Sequence, residues 1–203
     1  MRLLLLGATG KAGSAFLQQA LGNGHSVTAF VRTPTKIVIT HSNLTVVQGD
    51  ALHLDRLMAH LPGHDAVISA LSPGTLGRST LQQRLMETVT AAMTKSGVKR
   101  LLVLSIAFLF QDAGVVSSIV GHTLFNNIRE GSGEMEEVVR NSGLNWTIVR
   151  LPRLTGDGRS GEYRVRAEHA PPAMSISRGS LARFVLEEIE RDQYIRTVVG
   201  VSA

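Results

Sequence analysis

The sequence predicts an α/β fold, one domain built on a doubly wound parallel sheet. Three observations predict it. Strand-like and helix-like stretches alternate from the first residue, through six β/α units joined by short connections. The first strand-like stretch, residues 2–6, is a short continuous apolar run, as in a parallel strand buried on both faces. The 203 residues, 43% hydrophobic and 18% charged, supply one sizeable core and argue against disorder.

In chain order, residues 2–6 form the first apolar strand. Residues 11–21 have helical spacing, with Ala12, Ala15, Phe16, Gln19 and Ala20 around one side, and Gly22-Asn23-Gly24 ends the helix as a left-handed cap would. Residues 26–31 are β-rich and 43–48 form the third strand. A short helix follows from about 54 to 60, broken by Pro62-Gly63, and 65–70 form the fourth strand. Residues 79–96 predict a long helix with Ser79 as N-cap and Gly97 as its stop. Residues 99–105 are the fifth strand. Residues 106–130 have no readable period. Residues 132–141 predict a helix that stops at Gly143, and 146–150 the sixth strand. Beyond Pro152 come a charged, glycine-rich loop, short strands at 162–166 and 174–177, a helix at 180–191 and a last short strand at 197–200. Residues 152–203 are expected to form a small cap on the substrate side of the one domain.

Composition narrows the chemistry. Aromatics are only 4%, so Leu, Val, Ile and Ala must build the core. The absence of cysteine excludes a disulfide scaffold, thiolate catalysis and zinc–thiolate sites. No apolar run reaches the ~20 residues that span a bilayer, and the apolar start is too short for a signal segment. The expectation is a cytoplasmic protein, a monomer or weak dimer, with no membrane partner. The net charge is +5 and the pI about 10.2. The basic residues are scattered and not interleaved with aromatics, which argues against nucleic acid. A basic pocket for a phosphorylated cofactor fits the balance better. No metal constellation is visible, and His122 and His169 lack ligand spacing.

Gly7-Ala8-Thr9-Gly10-Lys11-Ala12-Gly13 lies between the first strand and the first helix. Spaced glycines alone are a weak signal; in this context they form a dinucleotide fingerprint. The fold expected is therefore Rossmann-like, with strand order 3-2-1-4-5-6 and a small C-terminal addition. Gly7 permits the sharp turn, Gly10 lets a pyrophosphate approach the backbone, and Gly13 lets helix and strand pack closely. The phosphates would meet free N–H groups at the helix start, helped by Thr9 and Lys11. At the end of the second strand stand Arg32, Thr33 and Lys36, with no acid to hold a ribose 2′-OH. That favours NADP(H), with Arg32 pairing a 2′-phosphate. Asp50, followed by Ala51, either accepts from the adenine amino group or caps the helix after it. Ala70, Leu71 and Ser72 should line the far side of the adenosine. Leu151, Pro152, Arg153 and Leu154 should pass over the nicotinamide.

The chain as a whole also resembles the atypical short-chain dehydrogenases of the NAD(P)H-binding, NmrA-like group. Within it the chain looks most like the flavin reductase/biliverdin-IXβ reductase family. The resemblance rests on residues 7–13, 46–50, 65–71, 97–112 (with Ser105-Ile106-Ala107-Phe108-Leu109-Phe110), 142–152 (SGLNWTIVRLP) and 163–189. It implies NADPH-dependent reduction of flavins, and in some members of quinones and linear tetrapyrroles. Two positions depart from the family. Its active-site serine falls on Ile106, with Ser105 one position earlier. Its Pro-Pro-His after the sixth strand is here Leu151-Pro152-Arg153. These departures weigh against tetrapyrrole reduction more than against flavin reduction, which needs little from side chains.

Ordinary short-chain dehydrogenases protonate a carbonyl oxygen through a Tyr-x-x-x-Lys pair. Here Tyr163 is followed at that spacing by Ala167, and Tyr194 by Val198. A flavin or quinone needs no such pair, because the protein mainly orients two planar rings. Ser105 is the candidate catalytic residue, bonding nicotinamide or substrate; the alternative is a bond to backbone only. Phe108, Phe110 and Phe125 are candidates for an apolar wall against the acceptor, and Arg153 for an anionic substrate group. The flavin is expected as a free substrate and not a prosthetic group, since no second phosphate loop is visible. Two other functions stay open: an NmrA-like redox sensor that binds the dinucleotide without chemistry, and a nucleotide-sugar epimerase, which the missing Tyr/Lys pair disfavours.

Overall fold

The computed structural model describes residues 1–71, 80–109, 124–156 and 161–203, with backbone only for 108 and 124–129. Ten described strands and five described α-helices follow one another. They are β1 (Arg2–Leu6), α1 (Lys11–Gly22), β2 (Ser26–Val31), β3 (Leu44–Gln48), α2 (Leu54–Met58), β4 (Ala66–Ser69), α3 (Leu81–Ser96), β5 (Arg100–Ile106), α4 (Leu124–Arg140), β6 (Asn145–Leu151), β7 (Arg153–Thr155), β8 (Arg164–Ala167), β9 (Ser175–Ser177), α5 (Arg178–Arg191) and β10 (Thr197–Ser202). The main sheet has eight strands in the order β3-β2-β1-β4-β5-β6-β10-β8. The first six reproduce the expected Rossmann order. All pairs there are parallel except β8 on β10.

The apolar runs explain the layering. In β1, Leu3 and Leu5 enter one core cluster while Leu4 and Leu6 enter the other. In β5, Leu102 faces the first cluster and Leu101 and Val103 the second. This two-sided alternation forces a helical layer on each face. The first cluster takes Phe16 and Leu17 of α1 with Leu181, Val185 and Ile189 of α5. The second takes Leu57 of α2, Met86, Val89 and Met93 of α3, and Met135 and Val139 of α4. Gly97, at φ +73°, caps α3 in the left-handed region, as its sequence position predicts.

Two expectations need correcting, and a third falls partly outside the described residues. The helix expected at 132–141 begins at Leu124; glycines at 131 and 133 hide its period, but packing against α3 overrides their low propensity. The described start of α3 is Leu81, with Thr80 before it; Ser79, the expected N-cap, lies outside the described residues. Residues 152–203 form more than a small cap. β10 pairs with β6 in the main sheet, β8 pairs with β10, and α5 covers the face beside α1. Among the described strands, β7 and β9 alone stand apart as a two-stranded sheet, beginning just past the C-terminal end of β6. Val198, Val199 and Val201 of β10 are fully buried, so that strand completes the core.

Candidate dinucleotide site

The turn between β1 and α1 is built by three glycines with different jobs. Gly7 has φ +81°, and a Cβ there would lie 2.5 Å from the Ala70 carbonyl oxygen. A Cβ on Gly13 would come within 3.0 Å of the Gly7 carbonyl oxygen. Both therefore serve close packing of turn, helix and sheet. Gly10 differs. Its φ is an ordinary −82°, and a Cβ there would meet only the Gly7 oxygen, at 3.3 Å. Its chain neighbours apart, no other described residue comes within 4 Å of that Cβ position.

Gly10 is also the N-cap of α1, and no side chain caps the helix. Its own N–H donates to Gly7 O at 2.9 Å, and the Ser14 N–H returns to Gly10 O at 2.8 Å. The N–H groups of Lys11, Ala12 and Gly13 precede Ser14, the first intrahelical donor, and have no acceptor within the helix. The first turn contains no acid to compete for them. Such a helix start attracts an anion.

A cleft of about 250 Å³ opens over this turn, and its wall brings distant segments together. Gly7 and Thr9 meet Arg32, Thr33 and Lys36 from beyond β2, Asp50 and Ala51 from beyond β3, and Leu71 from beyond β4. Eight of the residues expected to bind the cofactor thus share one cleft. Asp50 does not cap α2, whose N-cap is His53; its Oδ1 accepts from Leu52 N at 3.0 Å in the turn before that helix. Sequence reasoning missed the apolar walls: Phe30, Leu52, Leu81 and Leu85. The adjacency of Gly49 to Asp50 was the available signal, because a Cβ on Gly49 would overlap the Phe30 ring.

At the C-terminal end of β5, Ser105 is 7% exposed and donates to Glu136 Oε1 at 2.6 Å. The partner is thus a side chain on α4, where the sequence suggested ligand or backbone. Arg150 on β6 grips the same carboxylate through Nε at 3.0 Å and Nη2 at 2.7 Å. Sequence reading singled out neither Glu136 nor Arg150. The signal was an acid beside Met135 and Val139 on the buried stripe of α4, and an arginine following the apolar pair Ile148-Val149 in β6.

The family described as NAD(P)H-binding matches residues 7–192. The chain belongs to that family. It is 31% identical over 215 residues to the photosystem II assembly factor Ycf39 of Synechocystis sp., covering 99% of this chain and 62% of that protein. Two solved structures share the fold. One is a short-chain dehydrogenase/reductase of Veillonella parvula in complex with NADP, at 21% identity and TM-score 0.81, covering 100% of this chain and 94% of that one. The other is an NADH-flavin reductase candidate from Streptococcus pneumoniae TIGR4, at 22% identity and TM-score 0.83, covering 100% and 99%.

The other expected residues of this NAD(P)H-binding chain are distributed as follows. Leu151 ends β6, Pro152 links it to β7, and Arg153 and Leu154 open β7; only Arg153 is exposed. Ser72, Phe110 and His122 lie outside the described residues, as do the side chains of Phe108 and Phe125. His169 is exposed. Tyr163 is occupied elsewhere: its hydroxyl donates to Glu187 Oε2 at 2.9 Å. Burial first, and that bond second, push the Tyr163 hydroxyl up to about 12. Glu187 itself is held below the usual carboxylate range, chiefly by its bond to Arg183. Among the described residues no group of three or more metal-ligating side chains occurs, and no helix is long and apolar enough to cross a membrane.

Proposed function

We propose that this chain is an NADPH-dependent reductase that passes hydride to a free flavin or a quinone-like planar acceptor. The observation that carries the reading is a basic dinucleotide cleft in a chain with no tyrosine–lysine pair. Arg32, Thr33 and Lys36 line that cleft where an acid would select NAD. The chain has two tyrosines, neither followed by lysine at the required spacing, and Tyr163 is bonded to Glu187. Without that pair nothing of this type protonates an alkoxide, so carbonyl reduction fits poorly.

The residues present fit the dinucleotide. The space over Gly10 admits a pyrophosphate against the N–H groups of Lys11, Ala12 and Gly13, with Thr9 beside them. Arg32, Thr33 and Lys36 hold the 2′-phosphate. Asp50, Ala51, Ala70 and Leu71 enclose the adenosine, and Leu151, Pro152, Arg153 and Leu154 cover the nicotinamide end. When bound, the cofactor supplies a hydride. Arg153 stands on the acceptor's side of the site, and Ser105 fixes orientation. The protein orients two rings and limits water.

The test is NADPH oxidation against FMN, riboflavin, quinones and biliverdin, with calorimetry of NADPH binding alongside. The purified protein should be colourless, and turnover should need both substrates. A yellow protein with stoichiometric FMN overturns the free-acceptor assignment. The likeness to an assembly factor supports a second reading, dinucleotide binding without chemistry. NADPH binding with no acceleration by any acceptor selects that second reading.

A further inference from the structure

We infer that Ser105 serves only as a hydrogen-bond acceptor toward the dinucleotide, taking the N–H of its nicotinamide carboxamide, and that Glu136 and Arg150 are the positioning residues that hold it so. This rests on the reading that the chain binds NADP(H) in the cleft lined by Gly7, Thr9 and Arg32.

A serine hydroxyl has one hydrogen and two lone pairs. The Ser105 hydrogen is committed to Glu136 Oε1 at 2.6 Å. Glu136 is 2% exposed and is gripped by the planar fork of Arg150, through Nε to Oε1 and Nη2 to Oε2. Arg140, one turn on in α4, approaches Oε2 at 3.6 Å. An ion-paired carboxylate only accepts. The direction of the Ser105–Glu136 bond is therefore fixed, and Ser105 has only lone pairs left to offer.

Topology decides what meets those lone pairs. Ser105 pairs in register with Arg150, one position before the last pair of β5 and β6, Ile106 with Leu151. The sheet runs β2-β1-β4-β5, so β5 lies two strands from the glycine turn, on the side away from Arg32. At strand spacings of ~4.8 Å that is about 10 Å from the phosphate cradle. The far end of a dinucleotide reaches there, and the N–H donor on its nicotinamide ring is the carboxamide. Ser105 thus orients the ring and gives no proton. The acceptor, once it has taken the hydride's two electrons, draws its proton from water.

The test compares NADPH with its 3-acetylpyridine analogue, in which methyl replaces the carboxamide NH2 and the carbonyl stays. Dissociation constants are measured by calorimetry for the wild type, Ser105→Ala and Ser105→Cys. Both variants should weaken NADPH roughly 2- to 10-fold, the net worth of one hydrogen bond. Both should leave analogue affinity unchanged. Ser105→Cys keeps the volume while presenting a poor acceptor, so it also covers the case in which the alanine variant misfolds. Glu136→Gln, whose amide can present N–H to Ser105, should narrow the preference for NADPH over the analogue. Equal weakening of both ligands, or of neither, overturns the inference. Failure of the wild type to bind NADPH refutes the underlying cofactor reading instead.

Discussion

Two glycines in one turn should fail in opposite ways when given side chains. A Cβ on Gly13 must sit within 3.0 Å of the Gly7 carbonyl oxygen and carbon, both backbone. Backbone cannot swing aside as a flexible side chain can, so Gly13→Ala must displace the turn or the helix. Overpacking of this kind costs about 1–3 kcal/mol, and the approach to backbone argues for the upper end. At about 2–4 °C per kcal/mol for a domain of this size, melting should fall by roughly 6–12 °C. Among the described residues Gly10→Val meets one oxygen, at 3.3 Å, and it keeps an extended φ/ψ that valine tolerates. Its cost is that of a poorer N-cap, about 1 kcal/mol, or roughly 2–4 °C. Its branched side chain, however, occupies the space proposed for the pyrophosphate. Scanning calorimetry and NADPH titration on both variants separate the effects. Gly10→Val should stay folded and lose binding, and Gly13→Ala should lose stability first. Normal NADPH affinity in Gly10→Val, or an unchanged melting point in Gly13→Ala, would refute this division of labour.

Other consequences follow from the same geometry. Arg32→Ala should weaken NADPH on the order of tenfold while leaving NADH unchanged, since only the phosphate contact is lost; equal wild-type affinities for the two cofactors would count against NADP selection. Arg100 is 6% exposed at the start of β5, bonding Glu188 Oε1 at 2.7 Å, Asp192 at 2.5 Å and Thr147 Oγ1 at 2.9 Å. Arg100→Met leaves the Glu188 carboxylate, 1% exposed, without its cation, and should cost about 3–5 kcal/mol in denaturant unfolding; NADPH affinity should not change, because this end of the sheet is opposite the cleft. The Tyr163 hydroxyl, raised to about 12, favours its neutral form in the fold, so its contribution is whole below about pH 10 and fades as pH rises through about 12. Ultraviolet titration should show a late phenol step that Tyr163→Phe removes; a titration unchanged by that substitution would contradict the assignment.

Local chemistry wrote much of this protein legibly. The run Leu3 to Leu6 has to be a buried strand, because each residue reaches one of two cores. Gly7, Gly10 and Gly13 announce the turn because each meets a local constraint or leaves a local gap. The missing acid beyond β2 is likewise a matter of residue identity. Segments whose local signal is weak or split were less legible. Glycines at 131 and 133 masked the first half of α4, which packing against α3 supports. Residues 197–200 read as a short final strand, yet β6 and β8 on either side make β10 an interior strand of the main sheet.

The sequence by itself determined the β/α alternation, the glycine turn, the basic end of β2 and the absence of a tyrosine–lysine pair, because each depends on neighbours a few residues apart. Only the tertiary structure decided that Phe30, Leu81 and Leu85 wall the cleft and that Ser105 gives its hydrogen to Glu136. Ser105 and Glu136 are 31 residues apart and Glu136 and Arg150 are 14 apart. No periodicity links positions on a strand, a facing helix and the next strand. Their meeting is set by how the parallel sheet registers β5 with β6 and how α4 packs across both, and that is a property of the assembled layers.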